Sequence, residues 1–325
     1  MAEPLIRDVA DTAYWIAHLR AVESERADAL FRDPLAARLA GERGRAIAQA
    51  MPMPRMIGWS VVMRTCIIDD YLAFAVAQGV DTVLNLGAGL DTRPYRIQLP
   101  AALDWIEADY PQTMAHKANV LAGEKPHCHL QRVEIDLADR SQRRHLLATV
   151  NERAGKMLVL TEGVVPYLSE EEAASLADDL RALNHAAYWV VDYFSPAAMR
   201  YRQRTGLGRM MQNAPFRFAP SDWFGFFRQH GWGAREMRYF SEEAERLRRP
   251  APLPFALKIA LKAGRLFASK ERQSAFLRSM GYALLQPSGS NLRTGIGDRV
   301  AVRVSTTTTI RMSGISPSCL RLLLH

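Results

Sequence analysis

The residues of this sequence that could do chemistry start with a glycine-rich turn. The apolar segment Val83–Leu86 runs directly into Gly87-Ala-Gly89. Because glycine has no Cβ atom, such a turn lets the backbone pass close to a ligand. Asp109 follows 20 residues after Gly89, at the end of the next predicted strand, where a carboxylate can accept hydrogen bonds from ribose hydroxyls. This pattern predicts a site for a nucleoside.

Two further acidic residues occupy comparable places. Asp136 ends the third predicted strand, and Glu162 directly follows the fourth. Ligands of an open α/β sheet bind outside the carboxyl ends of its strands. We therefore expect these carboxylates to converge with Asp109 and the glycine turn on one cleft. The alternative is that they are ordinary turn and cap residues, which are common after strands.

The turn departs from the dinucleotide-binding fingerprint. That fingerprint continues to a third glycine, where this sequence has Thr92, and the Asp91 carboxylate would repel a pyrophosphate. A nucleoside without phosphates therefore fits better than NAD or FAD. A nicotinamide-dependent oxidoreductase on a similar sheet is kept as the alternative from a different class.

The elements that must position these residues alternate between short apolar runs and amphipathic segments. This alternation is typical of βαβ units and a parallel sheet that is covered on both faces. A helix is predicted after Ser169, because Ser169 and Glu172 form a capping box before apolar residues at helical spacing. The predicted strands are Thr82–Leu86, Leu103–Glu107, Val133–Leu137, Met157–Thr161, Tyr188–Tyr193, Arg235–Phe240 and Gly281–Gln286.

Residues 8–78 precede the sheet and show helical periodicity over Ala13–Ala29 and Arg64–Gln78. Between them, Met51-Pro-Met-Pro54 interrupts any helix, because proline lacks the backbone donor. We expect this region to lie over the sheet as a helical lid. The aromatic-rich stretch 196–233 predicts a packed helical insertion after the fifth strand.

The predicted organisation is a single domain over residues 1–286. It comprises the helical lid at 8–78, a cofactor-binding core at 79–240, and a basic helix with the last strand at 241–286. Residues 288–318 contain 11 Ser or Thr. We therefore predict a disordered tail over 287–325.

The chain has 325 residues, of which 48% are hydrophobic and 23% charged, as in globular proteins. Its net charge is +8, but residues 1–240 hold 28 Lys or Arg against 29 Asp or Glu, so the excess is carboxy-terminal. That basic part lacks RNA-binding motifs, and no nucleic-acid partner is expected. Three widely spaced cysteines, no signal-peptide pattern and no long apolar run predict a cytoplasmic protein without membrane contact.

Three longer motifs, with Arg64-Thr65 upstream of them, carry a family resemblance. They are Asn85-Leu-Gly-Ala-Gly-Leu-Asp-Thr-Arg-Pro-Tyr95, Trp105-Ile-Glu-Ala-Asp-Tyr-Pro111 and Thr161-Glu-Gly-Val-Val-Pro-Tyr-Leu168. Over residues 10–286 the chain resembles the leucine carboxyl methyltransferase family, including its bacterial polyketide O-methyltransferase branch. The resemblance implies a Rossmann-like, seven-stranded class I methyltransferase sheet with S-adenosyl-L-methionine as cofactor. It also implies methyl transfer to an oxygen atom, often that of a carboxylate.

The resemblance further implies a role for each matching residue. Arg64 would hold the methionine carboxylate of the cofactor, Asp109 would bind its ribose, and Glu162 would lie at the floor near its methionine. Asp136 and Leu137 would flank the adenine. The backbone around the cofactor would be lined by Asn85, Gly87 and Gly89.

The methyl acceptor is expected to be a small molecule. A carboxylate acceptor is already ionised at pH 7, whereas a phenol, with a pKa of about 10, would benefit from a general base. His18 and His185 are candidates without a diagnostic context, so no catalytic base is assigned. The carboxy terminus of a protein or peptide is the alternative acceptor.

Tyr167 is the first candidate substrate residue, because the Glu162-x4-Tyr167 element places it just beyond the cofactor. Tyr14 of the lid is the second. Aromatic residues of the lid and the insertion could wall an acceptor pocket. Three or more of them in a cavity would favour an aromatic acceptor over a protein carboxy terminus. The set comprises Tyr14, Trp15, Tyr193, Phe194, Trp223, Phe224, Phe226 and Phe227.

A metal site is not expected. His127-Cys128-His129 contains metal-binding residue types, but consecutive residues of a strand point to alternating faces and cannot easily share one ion.

Overall fold

A computed structural model describes residues 6–204, 210–253 and 277–289 of the chain. The strands in these ranges are β1 (Thr82–Leu86), β2 (Asp104–Asp109), β3 (His129–Glu134), β4 (Met157–Thr161), β5 (Ala186–Phe194), β6 (Trp232–Tyr239) and β7 (Met280–Pro287). They form one sheet in the order β3-β2-β1-β4-β5-β7-β6. Strand β7 runs antiparallel to β5 and β6, and the other neighbours are parallel. The predicted α/β fold with seven strands is confirmed.

Helices cover the sheet and connect its strands. They are α1 (Val9–Ser24), α2 (Ala36–Ala50), α3 (Pro54–Ala77), α4 (Arg93–Arg96), α5 (Pro111–Val120), α6 (Arg140–Arg153), α7 (Glu170–Arg181), α8 (Pro196–Arg204), α9 (Trp223–Gln229) and α10 (Phe240–Arg246), with a 3-10 turn at Val165–Tyr167. The amino-terminal helices α1 and α2 pack against each other, and α3 packs on β5 and β7. The amino-terminal region is therefore helical, as predicted.

The central strands are buried on both faces. Leu84 and Val159 lie in the core cluster that contains residues of α6, α7 and α9. Val83 and Leu158, each one residue earlier, lie in the cluster on the opposite face with residues of α3 and α10. Successive side chains of a strand point to opposite faces, so both faces need apolar residues. This explains the near-continuous apolarity of these strands.

The bounds of β1 and β4 agree with the prediction, but β3 was misplaced. Strand β3 begins at His129, not Val133, because it pairs with β2 without a break from Asp104–His129 to Asp109–Glu134. The strand therefore ends at Glu134. The prediction that Asp136 ends this strand is wrong, since Asp136 lies in the turn that follows.

Two predicted helices also have different bounds, and α2 was not predicted. Helix α1 starts at Val9 because the Asp8 side chain caps it by accepting from the Asp11 N–H. Helix α3 starts at Pro54, well before Arg64. Proline suits the first helical turn, where its missing N–H would lack a partner in any case. The predicted break at the two prolines is confirmed.

The capping box of α7 is present. The Ser169 side chain accepts from Glu172 N at 3.1 Å, and Ser169 N donates to Glu172 Oε2 at 2.7 Å. Among the described residues, no helix is long and apolar enough to cross a membrane. The predicted tail after residue 289 and the basic residues between 254 and 276 lie outside the described residues.

Candidate active site

A cavity of about 440 Å³ lies at the carboxyl ends of β1, β2, β4 and β5. Residues of the lid helices α1 and α3 and of the insertion after β5 also line it. The structure therefore brings together strand ends and lid, as an α/β ligand site requires. The predicted site residues that line the cavity are Arg64, Asn85, Gly87, Gly89, Asp109, Leu137, Glu162 and Tyr167.

The glycine turn is held by its own surroundings. Gly87 has a φ of 67°, and a Cβ atom there would collide with Val164 Cγ2. Glycine is therefore required to keep the turn against the loop after β4. The Gly89 N–H donates to Asp109 Oδ2 at 2.6 Å, which ties the turn to the end of β2.

Asp109 faces the cavity with acceptor capacity to spare. Besides Gly89, its only described donor is the backbone N–H of Tyr110, 2.7 Å from Oδ1. Burial raises the pKa of Asp109, although these two N–H groups oppose the effect. A carboxylate can accept about four hydrogen bonds, so each oxygen can also accept from a ligand hydroxyl.

Glu162 lies between two arginines. Arg64 Nε is 2.8 Å from Glu162 Oε1, and Arg93 Nη1 is 2.7 Å from Oε2. Burial alone would raise the pKa of Glu162, but the guanidinium groups of Arg93 and Arg64 outweigh it and lower the pKa. The ion-pair distance from Arg64 Nε is short, yet this N–H is not aligned for a hydrogen bond with any described acceptor. Arg64 thus retains donor capacity beside the cavity.

Arg93 is a site residue that the sequence reasoning did not select. Its side chain is 2% exposed, and it pairs with Asp69 at 2.7 Å and Asp91 at 2.8 Å besides Glu162. The only signal was its place at the end of the glycine motif. The same contacts correct the reading of Asp91: its carboxylate is neutralised by Arg93 and accepts from Asn85 Nδ2 at 2.9 Å, so it supports the turn.

Two predicted residues do not line the cavity. Asp136 is exposed, and Oδ1 accepts from the Ala138 N–H at 2.9 Å. Asp136 thus lies in the turn between Ile135 and Leu137, which both line the cavity, and its place beside the adenine stays a prediction. The Tyr14 ring packs on His116 with 4.9 Å between centroids and lies beneath the Arg43 guanidinium. Tyr14 is thus placed away from a substrate in the cavity.

Tyr167 lies on the side of the cavity formed by α1 and the insertion. Burial raises its pKa, and the Arg202 charge and the Thr12 side chain partly oppose this effect. Its ring packs edge-on against Phe216 at 4.9 Å, and the Arg202 guanidinium lies 3.8 Å from the same Phe216 ring. This part of the cavity combines aromatic surface with a cation.

Few of the predicted aromatic wall residues reach the cavity. Phe194 and Trp15 line it, whereas Trp223 and Phe227 pack into the core with Trp189. Two of that set line the cavity, so the condition that would favour an aromatic acceptor, three or more of them in the wall, is not met. Phe216, which the sequence reasoning did not select, takes part instead.

Asp192 and Tyr282 line the cavity and were also missed. They come from β5 and β7, which are 90 residues apart in sequence but adjacent in the sheet. No pattern in the sequence predicts that β7 lies between β5 and β6.

Within the described ranges, no group of His, Cys, Asp and Glu could hold a metal ion.

The sheet order with an antiparallel β7 defines a class I methyltransferase fold. A crystal structure of a DUF574 family protein from Streptomyces avermitilis has the same fold, with a TM-score of 0.52, 14% identity and coverage of 83% of this chain and 96% of that one.

Sequence comparison identifies the family. The leucine carboxyl methyltransferase family model matches residues 13–181. A protein of Streptomyces coelicolor that is named as an S-adenosyl-L-methionine-dependent methyltransferase is 31% identical over 242 residues, 69% of this chain and 82% of its own length. A similarly named Streptomyces avermitilis protein is 30% identical over 262 residues, 75% of this chain and 89% of its own.

The chain belongs to the leucine carboxyl methyltransferase family, and it is an S-adenosyl-L-methionine-dependent methyltransferase. This result replaces the alternative of a nicotinamide-dependent oxidoreductase.

Proposed function

We propose that this protein transfers a methyl group from S-adenosyl-L-methionine to an oxygen atom of a small-molecule carboxylate or phenol in secondary metabolism. The branch of the family that it resembles, the bacterial polyketide O-methyltransferases, acts on such compounds. The observation that carries the proposal is a single cavity in which Arg64, Asp109 and Glu162 meet the glycine turn. The same cavity extends past this end to Tyr167 and Phe216.

The residues present fit the cofactor. The buried Nε–H of Arg64 makes no hydrogen bond to a described residue and could donate to a ligand carboxylate. Asp109 has acceptor positions for ribose hydroxyls. Leu137 and Ile135 offer apolar surface beside them for a purine. When bound, S-adenosyl-L-methionine supplies an electrophilic methyl group on a cationic sulfonium, which suits an acid-rimmed cleft.

The chain's own task is positioning. A methyl transfer requires donor and acceptor to be close, aligned and free of water, which can contribute roughly 7–11 kcal/mol. Helix α1 supplies Thr12 and Ile16 to the lining of the cavity, and the segment after α8 supplies Phe216. No general base is assigned, and an ionised carboxylate needs none.

A small molecule suits the cavity. Its volume of about 440 Å³ falls in the range of about 300–1,000 Å³ that is usual for small-molecule sites. The cofactor takes part of this space, and the remainder near Tyr167 and Arg202 would hold a compact acceptor. The carboxy terminus of a protein or peptide remains the alternative acceptor.

Calorimetric titration with S-adenosylhomocysteine tests the cofactor site. We expect binding by the native protein and a loss of at least about ten-fold for Asp109→Ala. Asp104→Ala is the matched control, because Asp104 lies at the opposite end of the same strand and should leave the affinity unchanged. A folded protein without measurable binding would overturn the proposal.

An acceptor screen with radiolabelled methyl donor tests the acceptor class. Aromatic acids, aliphatic acids, phenols and peptides with free carboxy termini would be compared. An alkali-labile product indicates an ester and hence a carboxylate acceptor, whereas a stable ether indicates a phenol. Labelling of peptides alone would favour the alternative acceptor.

A further inference from the structure

The carboxylates that face the cavity differ in their partners. Glu162 and Asp91 are paired with arginines. Asp192, at 4% exposure, is as buried as any of them, yet no Arg, Lys or His nitrogen in the described ranges lies within 4.0 Å of its oxygens. Its partners are two neutral donors. These are the Gly163 N–H, 3.1 Å from Oδ2, and the Tyr282 hydroxyl, which donates to Oδ1.

A buried carboxylate with neutral donors alone is costly. Burial raises the pKa of Asp192 to about 6, even though the Tyr282 hydroxyl and the Arg64 charge lower it. The carboxylate lines the cavity, so a cationic ligand group could offset this cost. A site of this kind selects a ligand that brings its own positive charge.

The neighbours of Asp192 indicate which cationic group of a ligand it would bind. Thr161 and Val191 are register partners in the parallel β4–β5 pair, and Glu162 and Asp192 come directly after them. Asp192 also accepts a hydrogen bond from the N–H of Gly163, the residue after Glu162. Arg64, which is proposed to hold the methionine carboxylate, interacts electrostatically with Asp192. In an amino acid the ammonium and carboxylate share one carbon atom, so the groups that bind them must be neighbours.

We propose that Asp192 binds the α-ammonium group of the cofactor's methionine moiety. The proposal rests on the proposed function, because it assumes that S-adenosyl-L-methionine occupies the cavity. An ammonium group donates hydrogen bonds, which the free lone pairs of Asp192 can accept, whereas the sulfonium has no proton to donate. Glu162 is a poorer candidate, since Arg64 and Arg93 already neutralise it.

Tyr282 is the positioning residue for Asp192. The two residues are register partners in the antiparallel β5–β7 pair, and Tyr282 is 2% exposed. Its backbone carbonyl also accepts from the Tyr71 hydroxyl at 3.1 Å. Tyr282 is thereby fixed on both sides, and its hydroxyl holds the Asp192 carboxylate toward the cavity.

The test compares two ligands by calorimetry: S-adenosylhomocysteine and its analogue without the α-amino group. The native protein should bind S-adenosylhomocysteine at least ten-fold more tightly than the analogue. In Asp192→Asn this preference should fall to about two-fold or less, mainly through weaker binding of S-adenosylhomocysteine. Tyr282→Phe keeps the carboxylate and should reduce the preference only partly. Asp104→Asn is the control and should retain the full preference.

The outcomes separate this proposal from the one on which it rests. If the native protein binds neither ligand, the proposed function fails. If it binds both equally, or if folded Asp192→Asn keeps the native preference, the Asp192 assignment alone is overturned. An Asp192→Asn variant with unchanged preference but a reduced kcat would also overturn it, because Asp192 would then act on the acceptor. If Asp192→Asn does not fold, Tyr282→Phe carries the test, and an undiminished preference in that variant would overturn the assignment.

Discussion

The ends of the neighbouring strands β4 and β5 place two carboxylates in one cavity with opposite electrostatic surroundings. Glu162, after β4, lies between Arg64 and Arg93, and its pKa is lowered despite burial. Asp192, near the end of β5, is bonded to a backbone N–H and a tyrosine hydroxyl, and burial raises its pKa to about 6. The first carboxylate is neutralised by the fold, and the second is left for a ligand.

The two carboxylates serve different purposes, since one is paired within the protein and the other lacks a cationic partner until a ligand binds. Arg64 and Arg93 neutralise Glu162 in the ligand-free protein, and removing either partner would leave a charge unpaired at high cost. Asp192 makes the ligand-free protein less stable at neutral pH, which is a common property of binding residues that are preorganised for a charged ligand. The two carboxylates should therefore respond in opposite directions to the same neutral substitution.

The largest expected effect is on the Glu162 side of the comparison. Arg93→Met would leave Asp69, Asp91 and Glu162 without their shared cation. Because unpaired buried charges are costly, we expect the free energy of unfolding to fall by at least about 4 kcal/mol, or the protein not to fold. Urea denaturation at pH 7.5 measures this. Arg96→Met, which removes one ion pair, that with Asp69, and a contact with the Phe31 ring, should cost less. A loss below about 1 kcal/mol for Arg93→Met would contradict the interpretation.

The next largest effect is that neutral substitutions of the two carboxylates should change the free energy of unfolding in opposite directions. Glu162→Gln should lower the free energy of unfolding of the ligand-free protein at pH 8 by roughly 2 kcal/mol, because it weakens hydrogen bonds to charged groups. Asp192→Asn should raise it by on the order of 2–3 kcal/mol, which corresponds to the rise in pKa from 3.8 to about 6.

The free energies of unfolding of Asp192→Asn and Glu162→Gln should depend on pH in different ways. The Asp192 pKa is higher in the folded state than its ordinary value, so its ionisation destabilises the fold as the pH rises through about 6. The gain in Asp192→Asn should accordingly shrink as the pH falls below 6. The Glu162 pKa is lowered, so its contribution is present above the ordinary pKa and is lost in acid. Equal responses of both variants to pH would refute the comparison.

A smaller effect is expected on ligand affinity as the pH changes. Protonation of Asp192 removes the acceptor for an ammonium group, so the affinity for S-adenosylhomocysteine should fall roughly ten-fold between pH 7.5 and 5. The charged or titratable groups that face Asp192 are Tyr282, Arg64 and Glu162. Asp109 also has a raised pKa and contributes part of the dependence. Calorimetry on Asp192→Asn isolates that part, and an unchanged pH profile in this variant would count against Asp192.

The smallest effect concerns the acceptor end of the cavity. Tyr167→Phe removes a hydroxyl of a residue that lines the cavity but keeps the ring against Phe216. Affinity for S-adenosylhomocysteine should change by less than about two-fold, whereas the KM of an acceptor found in the screen should rise several-fold, as for the loss of one hydrogen bond. A large loss of cofactor affinity would show that the two ends of the cavity are not separate.

The sequence by itself determined the features that depend on nearby residues. The strand bounds at β1 and β4 and the capping box at Ser169 follow from apolar runs and hydrogen bonds within a few positions. The family motifs identified the cofactor class, and eight of the ten candidate site residues named from the sequence line the cavity. The end of β3 was predicted too late in the sequence because it is set by pairing with β2, which local pattern does not reveal.

Only the tertiary structure decided which carboxylates are paired. Arg93 and Glu162 are 69 positions apart, and Asp192 and Tyr282 are 90 apart. Their contacts depend on the strand order, above all on the antiparallel insertion of β7 beside β5. Whether a buried carboxylate is neutralised by the fold or kept for a ligand depends on such distant partners. Residue types and spacing therefore located the site, and the packing of the sheet assigned its charges.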